Sequence, residues 1–248
     1  MRALITGASS GLGKDFAINL SKIGYDLVLV ARNEEKLKEV AKECKTKVKI
    51  VVMDLSDIDN CKKLYKENKN IDILINNAGF GLFGTFNKTN IDTELNMIDL
   101  NIKALHVLTK LYLKDMVKKD KGHILNVASS AAFLPGPLMS TYYSTKSYVY
   151  KLTTAIFEEL RHIKTNVKVH VLCPGPVETN FNNVADVKFA VKGLDSNLVA
   201  TYALNNMFKN KLVIIPGFLN KLAAIGCKFA PLGLLLKLDY KIQSKKEK

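Results

Sequence analysis

The sequence predicts one α/β domain with a doubly wound, seven-stranded parallel sheet and helices on both faces of the sheet. Short apolar runs alternate with longer amphipathic stretches over most of the 248 residues, and a parallel sheet with crossover helices is the architecture that such alternation produces. The first apolar run leads directly into a glycine-rich turn, which is typical of the opening unit of a nucleotide-binding sheet.

Each predicted strand is an apolar run that stops at a glycine, a proline or a polar residue, and each predicted helix has apolar residues every three or four positions. No repeat or low-complexity linker divides the chain, so we expect one domain over residues 1–217 followed by an apolar, basic tail at 218–248. The predicted strands span residues 2–6, 26–31, 48–53, 71–75, 123–128, 167–172 and 212–215, and the main helices span 14–23, 34–43, 91–117, 141–162 and 198–209.

The turn after the first strand has the spacing Gly-x-x-x-Gly-x-Gly rather than the Gly-x-Gly-x-x-Gly of other dinucleotide folds. Glycines let the backbone approach a pyrophosphate, and the helix that follows offers free N–H groups and the positive end of its dipole. The pattern therefore predicts a Rossmann-like dinucleotide site. Its residues are Gly7, Ser9, Ser10, Gly11, Leu12 and Gly13.

Arg32 directly follows the second predicted strand. In NAD sites an acidic residue near the end of this strand binds the ribose 2′-hydroxyl, whereas a nearby arginine accommodates the 2′-phosphate of NADP. Positions 29–31 hold no acid, so the sequence favours NADP, with Ser9 and Lys36 as additional phosphate ligands. The alternative is a surface arginine that precedes the helix at 34–43.

Polar and small residues stand where the next strands end, at the edge where a parallel sheet binds ligands. Asp54 and Leu55 follow the third strand. The Asp54 carboxylate or its backbone faces an adenine, or else it caps a helix, a role that Ser56 or Asp57 would fill equally well. The fourth strand leads into Asn76, Asn77, Ala78 and Gly79.

Asn101 lies between apolar residues in the long predicted helix at 91–117. A polar amide on an otherwise buried helical face is unusual. It indicates either a satisfied core amide or a kink that holds a water near the reacting groups.

Tyr142 and Lys146 stand four residues apart on one predicted helix, so their side chains share a face. Free tyrosine titrates near pH ~10, and a fixed cation nearby lowers that pKa, which makes the pair a workable acid–base device. Tyr143 is set aside because its i+4 neighbour is the uncharged Ser147. The spacing alone would also suit a solvated lysine. The catalytic interpretation therefore depends as well on Ser129, thirteen residues before Tyr142.

Together these residues resemble the short-chain dehydrogenase/reductase family in its short, single-domain form. The resemblance extends from Thr6 to about Thr179, and the order and intervals of the motifs fit the family throughout. It implies an oxidoreductase that transfers a hydride between NADP(H) and a carbonyl or secondary alcohol (EC 1.1.1.-), with NADPH preferred over NADH. The motifs are Thr6-Gly-x-x-x-Gly11-x-Gly13, Asp54, Asn76-Asn-Ala-Gly79, Asn101, Ser129, Tyr142-x-x-x-Lys146 and Pro174-Gly-x-Val177-x-Thr179.

The resemblance also implies roles for these residues. Tyr142 would be the general acid in reduction and the base in oxidation, and Ser129 would stabilise charge on the carbonyl oxygen. Lys146 would bind the nicotinamide ribose and, together with the charge of the oxidised nicotinamide ring, lower the pKa of Tyr142. Asn101 would anchor a water that joins Lys146 to solvent. The residues expected around the nicotinamide are Pro174, Gly175, Val177 and Thr179.

The composition argues against nucleic-acid-binding, disulfide-stabilised and metal-binding proteins. The net charge is +14, but the lysines are spread along the chain without a recognition motif, so no nucleic-acid partner is expected. Four separated cysteines and four histidines without ligand spacing argue against disulfides and against a metal site. Isolated thiols, a first strand at residue 2 and the lack of an uninterrupted apolar run of ~18 residues favour a cytoplasmic protein.

A set of apolar residues is expected to form a wall that suits an apolar carbonyl or alcohol substrate, although core or interface positions explain them equally well. A mobile lid over the substrate is predicted within residues 180–197. The predicted wall residues are Phe80, Leu82, Phe133, Pro135, Leu138, Met139 and Phe181.

In the tail, Leu219, Leu222, Ile225 and Phe229 fall on one face of a predicted helix. The helix is expected to cap the pocket or to join subunits, and a peripheral contact with an anionic membrane surface is the alternative. A homodimer or homotetramer is the family expectation. The rival functions are a sugar-nucleotide epimerase or dehydratase, which generally has a larger second domain, and a non-catalytic NADP sensor, which would not need an intact Ser/Tyr/Lys set.

Overall fold

The computed structural model describes residues 1–179 and 193–246 and contains one seven-stranded sheet in which every pairing is parallel. Its strands are β1 (Arg2–Thr6), β2 (Asp26–Ala31), β3 (Val48–Val52), β4 (Ile73–Asn76), β5 (His123–Val127), β6 (Lys168–Leu172) and β7 (Val213–Ile214). The order across the sheet is β3-β2-β1-β4-β5-β6-β7. The chain thus reverses its winding direction between β1 and β4, and the predicted fold class is confirmed.

Helices cover both faces of this sheet. They are α1 (Gly11–Lys22), α2 (Glu34–Glu43), α3 (Ile58–Glu67), α4 (Ile91–Ile98), α5 (Leu105–Lys119), α6 (Ser140–His162), α7 (Ser196–Phe208), α8 (Phe218–Phe229) and α9 (Leu232–Gln243). One buried cluster joins α1, α2 and α7 to the sheet, and a second joins α3, α5 and α6 to the opposite face. Each strand is therefore apolar on both sides, which is why the strands read as continuous apolar runs.

The long helix predicted at 91–117 is interrupted. A π-helical segment, Asp99–Ala104, lies between α4 and α5 and contains Asn101. A π segment bonds residues five positions apart rather than four, and such segments are frequent at functional sites. The predicted kink therefore takes the form of a local widening of the helix. The other predicted boundaries shift by a few residues; β4, for example, begins at Ile73 rather than at residue 71.

A buried polar network ties the central strands to α5 and α6. Asn126 on β5 accepts a hydrogen bond from the side chain of Asn76 on β4 at 2.9 Å and from Thr109 on α5 at 3.3 Å, and it donates to Thr153 on α6 at 3.0 Å. All four residues are at least 97% buried. Because an unpaired buried amide is costly, this network fixes where α6 crosses the sheet.

The tail differs from its prediction. Two helices, α8 and α9, take the place of the single predicted helix, and they are separated at Ala230 and Pro231. Their large apolar side chains are mostly exposed, whereas Ala224, Asp239 and Gln243 are buried. Among the described residues, no helix combines the length and the apolarity that crossing a membrane requires.

Candidate active site

A cavity of about 550 Å³ lies over the carboxyl ends of the central strands, at the point where the strand order reverses. Open parallel sheets bind ligands at this point. Gly7 follows β1, Ala78 follows β4, Ser129 follows β5 and Pro174 follows β6, and all four residues line the cavity. Every predicted cofactor or catalytic residue lines it except Gly13 and Asn101, which lie behind its wall.

The turn between β1 and α1 fits a pyrophosphate. A Cβ atom on Gly13 would lie only 2.1 Å from the carbonyl oxygen of Gly7, so this close approach requires glycine. Ser10 precedes α1 without a side-chain capping bond and the first turn has no acidic residue, whereas Asn33 and Asp57 cap α2 and α3. The first N–H groups of α1 are therefore left to an anionic ligand.

Arg32 and Asp54 form an exposed ion pair at the other end of the cavity. The Arg32 Nη1 atom lies 3.7 Å from Asp54 Oδ2, and its side chain is 71% exposed. Burial by itself would raise the pKa of Asp54, but hydrogen bonds from Ser56 and the charge of Arg32 lower it overall. Asp57, rather than Asp54, caps α3. Because an exposed pair of this kind is weak, the guanidinium can turn towards a phosphate. Lys36 also lines this part of the cavity.

Helix α6 and strand β5 place the proposed acid–base residues together. The Lys146 Nζ atom lies 5.7 Å from the centre of the Tyr142 ring and donates a hydrogen bond to the carbonyl oxygen of Val127 at 3.0 Å. Ser129 forms a hydrogen bond with Tyr142, and its Oγ accepts the N–H of Ala131 at 3.2 Å. Residues predicted from separate motifs thus meet in one wall of the cavity.

Desolvation dominates the protonation of this pair. Burial raises the pKa of Tyr142 to about 12, although the hydrogen bond with Ser129 acts to lower it. Burial also lowers the pKa of Lys146 to about 8. In the polypeptide alone, the same low-dielectric wall disfavours the charged form of both groups. The lowering of the Tyr142 pKa predicted for Lys146 together with the charge of the oxidised nicotinamide stays a prediction.

Asn101 lies behind the cavity wall and connects the backbone of Phe80 to α6. Its Nδ2 donates to the carbonyl oxygen of Phe80 at 2.9 Å and to Thr145 Oγ1 at 3.1 Å, and its Oδ1 accepts the N–H of Phe80 at 3.1 Å. These bonds use both N–H groups and one of the two lone pairs of Oδ1. The water relay predicted for Asn101 stays a prediction.

The substrate side of the cavity differs most from the prediction. Phe80 and Met139 line it as expected. Leu82 and Phe133 pack into apolar clusters instead, Pro135 and Leu138 do not line it, and Phe181 and most of the predicted lid lie outside the described residues. Lining residues that sequence reasoning missed are Leu134, Tyr143, Asp239, Ile242 and Gln243. The last three come from α9, and no local sequence signal links them to the site.

The described part of the chain holds no group of three or more His, Cys, Asp or Glu side chains that could bind a metal ion. All four cysteines are free.

Comparison with known proteins supports this geometry. The family model for short chain dehydrogenases matches residues 1–200. An uncharacterised oxidoreductase of Staphylococcus epidermidis is 38% identical over 189 residues, which cover 74% of this chain and 81% of that protein. The NADP-dependent 3-hydroxy acid dehydrogenase of Schizosaccharomyces pombe is 38% identical over 195 residues, which cover 73% of each chain. A solved short-chain dehydrogenase from Sphingobium yanoikuyae in complex with NADPH superposes with a TM-score of 0.83 at 28% identity and covers 91% of this chain and 92% of its own.

The motif order, the parallel sheet, the cavity at its switch point and these matches agree. The chain belongs to the short-chain dehydrogenase/reductase family and is an oxidoreductase.

Proposed function

We propose that this protein transfers a hydride between NADP(H) and the carbonyl or secondary alcohol group of an apolar substrate. The observation that carries the proposal is the meeting of Tyr142, Ser129 and Lys146 in the same cavity as the glycine turn of residues 7–13. The name of the fission yeast relative, an NADP-dependent 3-hydroxy acid dehydrogenase, is consistent with both the cofactor and the alcohol chemistry.

The residues of the chain divide the reaction between them. The nicotinamide, when bound, supplies or accepts the hydride. Ser129 and Tyr142 donate hydrogen bonds to the carbonyl oxygen, and Tyr142 transfers its proton as negative charge develops there. A pKa of about 12 keeps Tyr142 protonated before the reaction. Lys146 then stabilises the phenolate that remains and, in the reverse direction, helps Tyr142 to accept a proton.

Tyr142→Phe tests the acid directly. The phenyl ring keeps the shape of the cavity wall but has no proton to give, so we expect turnover to fall about 10³-fold while NADPH binding is unchanged. A panel of carbonyl substrates monitored by NADPH absorbance, with NADPH fluorescence for binding, measures both. Tyr148→Phe on the same helix, outside the cavity, is the control, and retained turnover in Tyr142→Phe would remove that residue from its role.

Burial of the charged Lys146 side chain is expected to reduce the stability of the folded protein. Its pKa is about 8 in the folded chain against 10.5 ordinarily, so the folded state holds the proton less tightly than the unfolded state. The penalty is complete below pH 8 and disappears as the pH rises through 10.5. Lys146→Met should therefore raise the free energy of unfolding by about 2 kcal/mol at pH 7, after allowance for the lost bond to Val127.

Urea unfolding of the wild type and of Lys146→Met without cofactor, at pH 7 and near pH 10, measures this effect. The stability gain should shrink at the higher pH, and turnover should fall sharply at both. A variant less stable than the wild type at pH 7 would contradict the assigned burial penalty.

Arg32 is proposed to select NADP through the 2′-phosphate. We expect Arg32→Ala to raise the KM for NADPH about tenfold or more, because a charge-assisted bond is lost, and to change the KM for NADH less than about twofold. Lys38→Ala is the control, since Lys38 is an exposed cation paired with Glu34 and does not line the cavity. Equal use of NADH and NADPH by the wild type would rule out this role.

We further propose that α8 gives the protein a peripheral contact with anionic membranes. Phe218, Leu222, Ile225 and Phe229 recur on its outward face and are between 49% and 82% exposed. Residues 218–246 include six lysines and one acid, Asp239, and that acid is buried. Two copies of so basic a surface would repel each other, whereas an anionic bilayer attracts the lysines and accepts the apolar face. A homodimer or homotetramer would then form through other surfaces.

Vesicle sedimentation tests this contact. The wild type should sediment with phosphatidylserine-containing vesicles and much less with neutral ones, and Leu222→Gln/Ile225→Gln should weaken binding about fivefold or more because apolar contact is lost. Ile91→Gln/Leu95→Gln on α4, which alters two residues of similar exposure, is the matched control. If the Leu222/Ile225 variant instead changed the mass measured by light scattering, the face would be a subunit interface.

A further inference from the structure

Helix α9 packs with polar side chains turned inward. Asp239 and Gln243 are 3% and 1% exposed, whereas Leu234, Leu236 and Leu238 are 40–50% exposed. A surface helix ordinarily buries its apolar stripe. The polar atoms of this inward pair therefore need partners from the body of the protein, and among the described residues Gln243 Oε1 is left without one.

Those groups are the loop before α6 and the side chain of Tyr143. The N–H of Gly136 donates to Asp239 Oδ2 at 2.9 Å, and Gln243 Nε2 donates to Asp239 Oδ1 at 3.1 Å. Gln243 Nε2 also donates to the hydroxyl oxygen of Tyr143. Gly136 has a φ of +67°, and a Cβ there would lie 2.0 Å from the Tyr143 ring. The Asp239 carboxylate thus orients the Gln243 amide, and that amide orients the Tyr143 hydroxyl.

In this arrangement the hydroxyl proton of Tyr143 has no hydrogen-bond acceptor among the described residues. Its oxygen accepts from Gln243, and no hydrogen bond donated by Tyr143 is found within residues 1–179 and 193–246. Burial, and then the negative charge of Asp239, raise the pKa of Tyr143 well above its usual value, so the proton stays on the oxygen. A buried donor without an acceptor is unfavourable, and the neighbouring cavity is where an acceptor can be supplied.

Tyr143 is placed to meet a substrate. It lines the cavity with Leu134, Met139 and Gln243 on the side away from the glycine turn. Its ring is 7% exposed and stands edge-on to the Tyr142 ring, with 6.0 Å between the ring centres. The two tyrosine rings are therefore neighbours in the lining of the same cavity.

We propose that Tyr143 is a substrate-binding residue, which donates a hydrogen bond to a second oxygen of the substrate, and that Gln243 and Asp239 are positioning residues for its hydroxyl. This inference rests on the proposed carbonyl reduction and narrows its substrate class. The preferred substrate is an apolar ketone that carries a second acceptor oxygen, as a keto ester does, or the matching hydroxy compound. The C-terminal helix α9 thereby sets specificity.

The test is a matched pair of substrates, an aliphatic 3-keto ester and a simple ketone of the same chain length. For Tyr143→Phe, kcat/KM on the keto ester should fall about tenfold, mainly through KM, and should change less than about twofold on the simple ketone. Gln243→Leu should show the same selectivity, and Asp239→Asn a smaller loss in the same direction. Tyr148→Phe, which removes a hydroxyl bonded to His106 outside the cavity, should change neither substrate.

The quantity to compare is the ratio of kcat/KM on the keto ester to kcat/KM on the simple ketone. Within one variant this ratio cancels any general loss of folded enzyme, and its change from the wild-type ratio cancels the different intrinsic reactivity of the substrates. If the wild type reduces both ketones and Tyr143→Phe affects both equally or neither, the inference is overturned and the proposed function stands. If the wild type reduces neither ketone, the proposed function fails and the inference fails with it. A loss confined to the keto ester, repeated in Gln243→Leu, supports both.

Discussion

The Lys146 ammonium is buried beside Tyr142 in the wall of the cavity, and much of the structure around it serves to hold it there. Desolvation lowers its pKa to about 8, so the charge has to be compensated locally. The carbonyl oxygen of Val127, at the end of β5, accepts one of its protons at 3.0 Å. Gly79 leaves space for the neighbouring Asn101 side chain, since a Cβ there would lie 2.8 Å from Asn101 Oδ1 but at an ordinary contact distance of 3.5 Å from Lys146 Nζ.

Two layers of hydrogen-bonded polar side chains fix the position of α6 over the sheet, so that Lys146 can contact the carbonyl oxygen of Val127. Below the cavity, Asn126 connects β4, α5 and α6. Closer to the cavity, Asn101 in the π segment connects the Phe80 backbone to Thr145 on α6. Directional hydrogen bonds fix a register that apolar packing alone leaves free to slide. The geometry of this cavity wall is therefore a property of the sheet and its helices together.

The two C-terminal helices expose large apolar side chains, and α9 buries polar ones, which is the reverse of the usual arrangement. In α9 the buried residues are polar and bind the loop and tyrosine beside the active site, while leucines point outward. In α8 the outward face is apolar and flanked by the exposed Lys221. One segment thus contributes residues to the lining of the cavity and exposes apolar side chains on its outer face.

The sequence by itself determined the features that depend on neighbouring residues. The glycine turn, the apolar strands and the i, i+4 placement of Tyr142 and Lys146 are local, because backbone conformation and helical spacing are set within a few residues. The family resemblance then placed Ser129 and the cofactor residues around them.

Only the tertiary structure decided what depends on distant residues and on solvent. Asp239 meets Gly136 and Gln243 meets Tyr143 across 103 and 100 positions, and chain periodicity carries no information at that range. The direction of the Tyr142 pKa shift could not be predicted from the sequence either, because it depends on how much water the cavity wall excludes in the folded protein. Two helices formed in the tail where one was predicted, since Pro231 interrupts the pattern and the long-range polar contacts of α9 stabilise the second.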